Sequence, residues 1–238
     1  MSLCMAGLNS LIGVDMKETI ILKPNTWIII LGGDCPLGLA RDFLLRSYND
    51  AAGIICADSG ANHAYELGIT PDLIVGDGDS TRPEVLDYYQ KRDVRMISYP
   101  IAKNFSDGEG AILEAIGRGA KNLAVFGAFG GRIDFQLGNV FSFVPHLPQL
   151  DDVVLYGEDF RAFYICSEAT INGKPGDMVS LISLSPTVNN IYIENFIYPL
   201  NNDQLPFGSM WGVSNVLNKK EGKVKHSGGV LLAIHYYR

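Results

Sequence analysis

The sequence has few cysteines, and their positions exclude two kinds of protein. Cys4, Cys35, Cys56 and Cys166 are far apart and form no CxxC pair, so neither a zinc knuckle nor a dense disulfide framework is expected. Its four histidines show no metal-ligand spacing, and we expect them to be packed or surface residues. Reduced, mostly structural thiols are typical of a cytoplasmic protein, and this is the location that we predict.

Positive charge is also scarce, with 19 Lys and Arg against 26 Asp and Glu and a net charge of -7. Nucleic acid is therefore not expected as the main partner, because phosphate binding needs a basic face. No apolar run approaches the ~18 residues needed to cross a bilayer, so no membrane partner is predicted. The first two dozen residues lack the basic start of a signal peptide, and we expect them to form a loose arm.

Hydrophobic residues make up 47% of the chain, enough for one or two domains with large cores. Up to residue 158, short apolar strands alternate with helical segments, which favours a mainly parallel sheet flanked by helices. Residues 159–238 contain strand-like segments separated by turn signals and no convincing amphipathic helix, which predicts an all-β sandwich or barrel domain. The predicted strands are 27–31, 53–57, 72–76, 94–99, 122–127 and 152–157, and the predicted helices are 37–48, 61–68, 82–92, 107–119 and 133–144.

Polar, glycine-rich loops follow four consecutive predicted strands of the first domain. In open parallel sheets, ligands bind outside the carboxyl ends of the strands, so these loops are the first candidates for a site. In chain order the candidates are Asp58, then Asp77 and Asp79, then Lys103, Ser106 and Asp107, and finally Arg132, Asp134 and Asn139.

Each candidate also has an ordinary structural explanation. Asp-Gly is a common turn dipeptide, Asp58 and Asp107 can each cap a helix, and Arg132 with Asp134 can form a surface ion pair. These explanations weaken in combination, because turns and caps do not require carboxylates at successive strand ends. The Walker, Rossmann and GxSxG motifs are absent, and an EF-hand counted from Asp77 has Tyr88 at its twelfth position instead of glutamate.

The chemistry of these residue types indicates a magnesium-nucleotide site. Mg²⁺ prefers oxygen ligands and typically takes one or two carboxylates plus substrate phosphates. Lys103 and Arg132 suit phosphate oxygens, and glycine-rich loops let backbone N–H groups approach phosphates closely. The residues therefore predict Mg²⁺ together with a nucleotide.

The same stretches resemble the thiamin pyrophosphokinase family. "ADSGAN", "PDLIVGDGDS", "KNFSDGEGAI", "GAFGGRIDFQLGN" and "YPLNNDQLPFGSMWGVSN" follow the order of the family's motifs, and the resemblance covers residues 27 to 236. It implies an α/β catalytic domain followed by a β-sandwich, in a homodimer with active sites shared between subunits. The implied reaction moves a pyrophosphoryl group from ATP to thiamin and gives thiamin diphosphate and AMP.

The resemblance also implies residue roles. Asp58, Asp77, Asp79 and Asp107 would hold Mg²⁺ or orient phosphates, Lys103, Ser106 and Asn139 would bind the nucleotide, and Arg132 and Asp134 would lie at the phosphate and thiamin end. Trp211, Ser214 and Asn215 would belong to the thiamin pocket, where an indole face attracts a cationic ring and Ser and Asn read the aminopyrimidine edge. Asp79 or Asp107 would accept the hydroxyl proton.

Several positions depart from the family pattern. Ser59 stands where the family usually has glycine, and Asn104 stands where an acidic residue is common. Phe135 and Gln136 replace the usual His and Thr, and we expect Phe135 to take over a packing role. Two alternatives therefore stay open: a pyrophosphokinase for another hydroxymethyl heterocycle such as a pterin, and a thiamin or thiamin diphosphate binding protein without turnover.

Overall fold

The computed structural model describes residues 22–99 and 105–237. These residues fall into two compact units that meet in the chain between Glu158 and Asp159. The expected N-terminal arm, apart from residues 22–24, lies outside the described residues, as do Lys103 and Asn104.

The first unit is an α/β unit in which short apolar strands alternate with helices. Its strands are β1 (Thr26–Ile30), β2 (Gly53–Ala57), β3 (Leu73–Val75), β4 (Arg95–Ile97), β5 (Asn122–Phe126) and β6 (Asp152–Tyr156). Its helices are α1 (Gly38–Ser47), α2 (Gly60–Glu66), α3 (Pro83–Gln90), α4 (Asp107–Gly117) and α5 (Ile133–Ser142), with 3₁₀ turns at Tyr48–Asp50 and Val144–Gln149.

All strand pairs within this unit are parallel, in the order β6-β5-β1-β2-β3-β4. Strands β1, β2, β3 and β5 are buried along their whole length, as expected for a parallel sheet covered on both faces. Helices α2 and α4 pack against these central strands. The predicted parallel sheet with flanking helices is confirmed.

Most helix and strand ends differ from the predicted ones by one or two residues, and two of these differences have a clear physical reason. Helix α5 ends at Ser142, two residues before the predicted end, and a 3₁₀ turn begins at Val144, because Pro145 has no N–H to continue the α-helical hydrogen bonding. Strand β4 covers only three residues, two of which are exposed. A short, exposed strand is typical of a sheet edge.

The second unit consists of two antiparallel sheets. Its strands are β7 (Phe160–Ile165), β8 (Glu168–Asn172), β9 (Met178–Ser183), β10 (Thr187–Glu194), β11 (Asn201–Pro206), β12 (Asn215–Val216), β13 (Glu221–Lys225) and β14 (Leu231–Tyr236). One sheet has the order β12-β9-β14-β7 and the other β11-β10-β13-β8. Strands β8 and β13 alternate buried and less buried residues, the pattern of a sheet with one face in a core. The predicted all-β sandwich is confirmed.

None of the helices in the described part of the chain has the length and apolarity that crossing a membrane requires.

Candidate active site

The order of the parallel strands places a crevice at the end of β1. The chain adds β2, β3 and β4 on one side of β1 and then returns to add β5 on the other side. Such a reversal is a topological switch point, the place where ligands bind at the carboxyl ends of the strands in open α/β sheets. The loops that follow β1 and β5 meet there: Gly33 N donates to Gly127 O at 2.8 Å, and Asp34 N donates to Phe129 O at 2.8 Å.

The loop after β1 is a part of this edge that the sequence analysis missed. A Cβ on Gly33 would lie 2.3 Å from Phe129 O, so only glycine permits the close approach of the two loops. The available signal was the sequence "GGD" directly after an apolar strand, which is the same pattern that marked the other strand ends.

Asp58 follows β2 and is not a helix cap. Its backbone adopts a left-handed conformation with φ of 47°, and its N–H donates to Val75 O of β3 at 2.9 Å. Ser59 occupies the N-cap position of α2, without a side-chain capping bond. The capping explanation for Asp58 is therefore wrong, and the half-buried carboxylate is available for another task.

Asp77 and Asp79 follow β3 in a turn whose geometry is compatible with a site. The N–H of Asp79 donates to Asp77 Oδ1 at 3.0 Å, a side-chain-closed turn. Both side chains are exposed, and Gly76 and Gly78 adopt positive φ values of 142° and 81°. The stretch is a turn, and it also presents two carboxylates at the strand end.

Ser106, and not Asp107, caps helix α4. Ser106 Oγ accepts a hydrogen bond from Glu109 N at 3.2 Å, which satisfies one of the free N–H groups of the first turn. The capping explanation for Asp107 is therefore wrong. Asp107 is the first residue of α4, where the positive end of the helix dipole favours a carboxylate.

Three of these aspartates act electrostatically on the fourth. The pKa of the Asp58 carboxyl is raised to about 7, first because the carboxyl is partly buried and then because Asp107, Asp77 and Asp79 repel its negative charge. A side-chain hydrogen bond to Asp107 also raises the pKa of Asp58. The structure thus brings together all four carboxylates predicted as metal ligands.

A divalent cation fits this cluster. Asp58 Oδ1 is buried and, among the described residues, has no hydrogen-bond partner. A buried carboxylate oxygen without a partner carries a large desolvation cost unless a proton or a cation neutralises it. The donors are all hard carboxylate oxygens, the ligand type that Mg²⁺ prefers.

Arg132 and Asp134 form an exposed ion pair at the start of α5. Arg132 Nε donates to Asp134 Oδ1 at 3.1 Å, and Arg132 Nη2 donates to Oδ2. The pair raises the pKa of Arg132 and lowers that of Asp134 through these hydrogen bonds. The guanidinium of Arg132 is therefore positively charged, and its two hydrogen bonds to Asp134 orient it.

Phe135 and Asn139 belong to the same helix but have different surroundings. Phe135 is 56% exposed, and its ring lies 4.6 Å from the guanidinium of Arg132. The expected packing role is thus not one in a core: the ring packs against Arg132. Asn139 Nδ2 donates to Ala128 O at 2.9 Å and ties α5 to the glycine-rich loop after β5.

The three residues expected at a thiamin pocket lie around a turn of the β unit. Trp211 lies in a turn and is 63% exposed. The next residue, Gly212, anchors this turn to β9, because its carbonyl oxygen accepts a hydrogen bond from Leu181 N at 2.8 Å. Ser214 is exposed with a positive φ of 61°. The turn therefore presents an indole face and a hydroxyl to the outside.

Asn215 differs from this expectation because its amide is already engaged. Asn215 is buried, its Oδ1 accepts from Tyr198 N at 3.1 Å and Val216 N at 2.9 Å, and its Nδ2 donates to Tyr198 O at 2.7 Å. An amide bound to the backbone in this way positions the turn. The expected contact of Asn215 with thiamin stays a prediction.

The fold and the site together define a two-unit protein with a candidate ligand site in an α/β unit and an all-β second unit. One unit is a doubly wound α/β unit with carboxylates and glycine-rich loops at the ligand edge of its sheet. The other unit, later in the same chain, consists of two antiparallel sheets with an exposed tryptophan turn.

Two family models match the chain and identify the family. The model described as thiamin pyrophosphokinase, catalytic domain, matches residues 44–153, and the model described as thiamin pyrophosphokinase, vitamin B1 binding domain, matches residues 168–231. The two matches together cover well over half of the chain. This chain belongs to the thiamin pyrophosphokinase family.

Curated relatives and solved structures agree with this assignment. The chain is 26% identical over 209 residues to the thiamine pyrophosphokinase of Bacillus subtilis, covering 87% of this chain and 96% of the relative. It is 26% identical over 207 residues to thiamine pyrophosphokinase 3 of Oryza sativa subsp. japonica, covering 75% of this chain and 76% of the relative. The crystal structure of the B. subtilis protein has a TM-score of 0.79 at 23% identity, covers 89% of this chain and 99% of its own, and shows the shared fold.

Proposed function

We propose that this protein transfers a pyrophosphoryl group from ATP to thiamin and releases thiamin diphosphate and AMP. The observation that carries the proposal is the match of both family models, in order, to one chain. The cluster of four aspartates at the ligand edge of the α/β unit supports it, because phosphoryl transfer depends on a bound cation and on positioning. In this proposal residues 1–158 are the catalytic domain, and residues 159–238 bind thiamin.

Asp58, Asp77, Asp79 and Asp107 would hold Mg²⁺ in this reaction. A bound Mg²⁺ would neutralise charge that develops on the phosphate oxygens. Two features of Asp58 support this role. A cation would offset the repulsion that raises the pKa of Asp58, and it would give the buried Oδ1 a partner.

The chain's own residues supply orientation, charge and a proton acceptor. The thiamin hydroxyl oxygen forms a bond to the β-phosphorus of ATP, while the bond between that phosphorus and the α-phosphate oxygen breaks and AMP leaves. Arg132 and Lys103 bind the phosphate oxygens, and Arg132 is already oriented by Asp134. Asp79 or Asp107 accepts the hydroxyl proton, and Ser106 and Asn139 position the nucleotide side of the site.

In the β unit, Trp211 and Ser214 form the thiamin contact of this proposal. An exposed indole offers a face to the cationic thiazolium ring, and its 63% exposure leaves that face accessible. Asn215 holds the turn in place through Tyr198.

A direct assay tests the reaction against the alternatives. Purified protein is incubated with ATP, Mg²⁺ and thiamin, and both AMP and thiamin diphosphate are measured; we expect equal amounts of the two. AMP formation with a pterin alcohol but not with thiamin would instead assign the protein to another heterocycle. Tight thiamin binding with no AMP would identify a binding protein.

We also propose that the protein acts in the cytoplasm as a homodimer whose active sites are shared between subunits. None of the three described cysteines is in a disulfide, in keeping with a reducing compartment. The dimer is tested by light scattering and by mixing Asp77→Asn protein with Trp211→Ala protein. If sites are shared, each mixed dimer contains one intact site, so activity rises on mixing at thiamin concentrations well below the KM of the Trp211→Ala variant. No recovery in mixtures shown to contain mixed dimers would contradict shared sites.

A further inference from the structure

A second group of metal-binding side chains lies outside the aspartate cluster and has no part in the proposed reaction. One ligand atom each of Cys35, His63 and Glu66 lies within 4.8 Å of the other two. Cys35 follows β1 in the loop to α1, and His63 and Glu66 are three residues apart on α2. Residues three apart on a helix share a face, so the helix presents the imidazole and the carboxylate together.

The hydrogen bonding of His63 leaves a nitrogen lone pair for a ligand. His63 Nε2 lies 2.7 Å from the carbonyl oxygen of Gly33, and because a carbonyl only accepts, Nε2 must carry the proton. In the neutral ring, Nδ1 then has the free lone pair. A backbone carbonyl that binds the second ring N–H is the usual support of a metal-ligating histidine.

Glu66 has a cationic neighbour. Arg82 Nη2 lies 3.1 Å from Glu66 Oε1 in an ion pair that lacks hydrogen-bond geometry, and the other carboxylate oxygen of Glu66 is left available. The side chain of Glu66 is 50% exposed, so it can rotate to shorten the present ligand–ligand spacing of up to 4.8 Å. Tetrahedral metal–ligand bonds of ~2.0–2.3 Å require ligand atoms roughly 3.5 Å apart.

We propose that Cys35, His63 and Glu66 form a site for one borderline divalent cation of the zinc type, which holds the loop after β1 against α2. The donor set decides the class of metal: thiolate and imidazole favour Zn²⁺ over Mg²⁺, whereas the all-carboxylate cluster favours Mg²⁺. Three protein ligands leave a fourth tetrahedral position for water. This inference is independent of the proposed transfer reaction.

Cobalt substitution tests the site in the full chain. The protein is titrated with Co²⁺ in excess Mg²⁺, which occupies hard-oxygen sites, and the near-ultraviolet thiolate-to-cobalt band and the visible bands are recorded. We expect one equivalent of Co²⁺ to produce a thiolate band and intense tetrahedral visible bands, and one equivalent of Zn²⁺ to remove both. The absence of a thiolate band would overturn the proposal.

Variants assign the band to these residues. Cys35→Ser should abolish the thiolate band, and His63→Gln and Glu66→Gln should each weaken binding by ~10-fold or more. Cys166→Ser, which changes a partly exposed cysteine of the β unit, should leave the band unchanged. A band that persists in the Cys35→Ser variant, or that is lost in the Cys166→Ser variant alone, would contradict the assignment. Circular dichroism identifies any variant that fails to fold.

A measurement on the unaltered protein keeps the test independent of variant folding. Alkylation of each cysteine is followed by mass spectrometry with and without one equivalent of Zn²⁺, again in excess Mg²⁺. We expect Zn²⁺ to slow the alkylation of Cys35 at least several-fold and to leave that of Cys166 unchanged. An unchanged rate at Cys35 would overturn the proposal, whatever the variants do.

Discussion

Asp58 and Gly76 face each other at the ends of neighbouring strands, and a Cβ on Gly76 would lie 2.3 Å from Asp58 Oδ1. The glycine thus leaves the space that the carboxylate occupies, and its φ of 142° is one that other residues rarely adopt. Because the same Oδ1 is buried and unpartnered among the described residues, this contact links the backbone of the strand end directly to the proposed metal site.

We predict that Gly76→Ala weakens Mg²⁺ binding and destabilises the protein by more than ~1 kcal/mol, because the new Cβ must displace Asp58 and the backbone is strained. Gly117→Ala is the matched control. No atom lies within 4 Å of a Cβ at this position in α4, so the change should stabilise the protein by ~0.5–1 kcal/mol. Chemical denaturation and Mg²⁺ titration measure both effects; equal Mg²⁺ affinity in the two variants would refute the proposed link.

We predict that Asp58→Asn raises the melting temperature of the metal-free protein at pH 8 and reduces its increase on adding Mg²⁺. The folded-state pKa of Asp58, about 7, lies above the ordinary value of 3.8, so ionising this carboxyl destabilises the fold as the pH rises from 3.8 through 7. The amide removes that charge together with a metal ligand. Asp87→Asn, at an exposed ion pair of α3, should leave the Mg²⁺ response unchanged. A full Mg²⁺ response in the Asp58→Asn variant would disprove the ligand assignment.

We predict that Arg132→Gln lowers kcat/KM by about 10²-fold without changing the melting temperature, because the guanidinium is exposed and acts only on the phosphates. Arg92→Gln is the control, since Arg92 is also exposed and stacks on the ring of Tyr88. Steady-state kinetics and thermal melts of both variants are compared. A loss of activity accompanied by an equal loss of stability would indicate a structural role for Arg132.

We predict that Trp211→Ala raises the KM for thiamin roughly tenfold and leaves the KM for ATP unchanged, since the loss of a cation–π contact costs about 1–2 kcal/mol. Trp211→Phe keeps an aromatic face and should restore most of the affinity. Because Trp211 is 63% exposed, neither variant should lose stability. If both KM values rise together, Trp211 does not contact thiamin selectively.

The buried His235 of the β unit should make the stability of the protein depend on pH. Burial lowers the pKa of His235 to about 4, with a further contribution from Arg161, although the nearby Asp177 opposes the shift. The folded state therefore disfavours the proton that the unfolded state binds at 6.5. The contribution of His235 to stability is fully present above pH 6.5 and is lost, by up to ~3 kcal/mol, as the pH drops from 6.5 to 4. Denaturation of the wild type and of the His235→Gln variant across this range measures how the free energy of unfolding changes with pH. His226, whose pKa is also lowered, is present in both proteins and contributes equally to both. The same pH dependence in the two proteins would therefore contradict the prediction.

Local sequence was sufficient to predict most of the α/β unit. The apolar run "GIICA" matches β2 residue for residue, since a strand buried on both faces must be apolar throughout. Asp58, Asp77, Asp79 and Asp107 could be grouped because carboxyl ends of parallel strands share one edge. The loop after β1 was missed because its place beside the β5 loop depends on the strand order, which no local pattern shows.

The sequence by itself determined the alternation of strands and helices, the change to an all-β second part, and the family, because periodicity and ordered motifs are local properties of the chain. Tertiary structure alone decided which polar atoms are buried, which carboxylates repel one another, and that Ser106 caps α4 in place of Asp107. It also brought Cys35 to His63 and Glu66, although the spacing of cysteines and histidines along the chain gave no sign of a metal site. Burial and proximity depend on how distant segments pack, and for that reason the charge state of Asp58 and the surroundings of Cys35 became visible only in the folded chain.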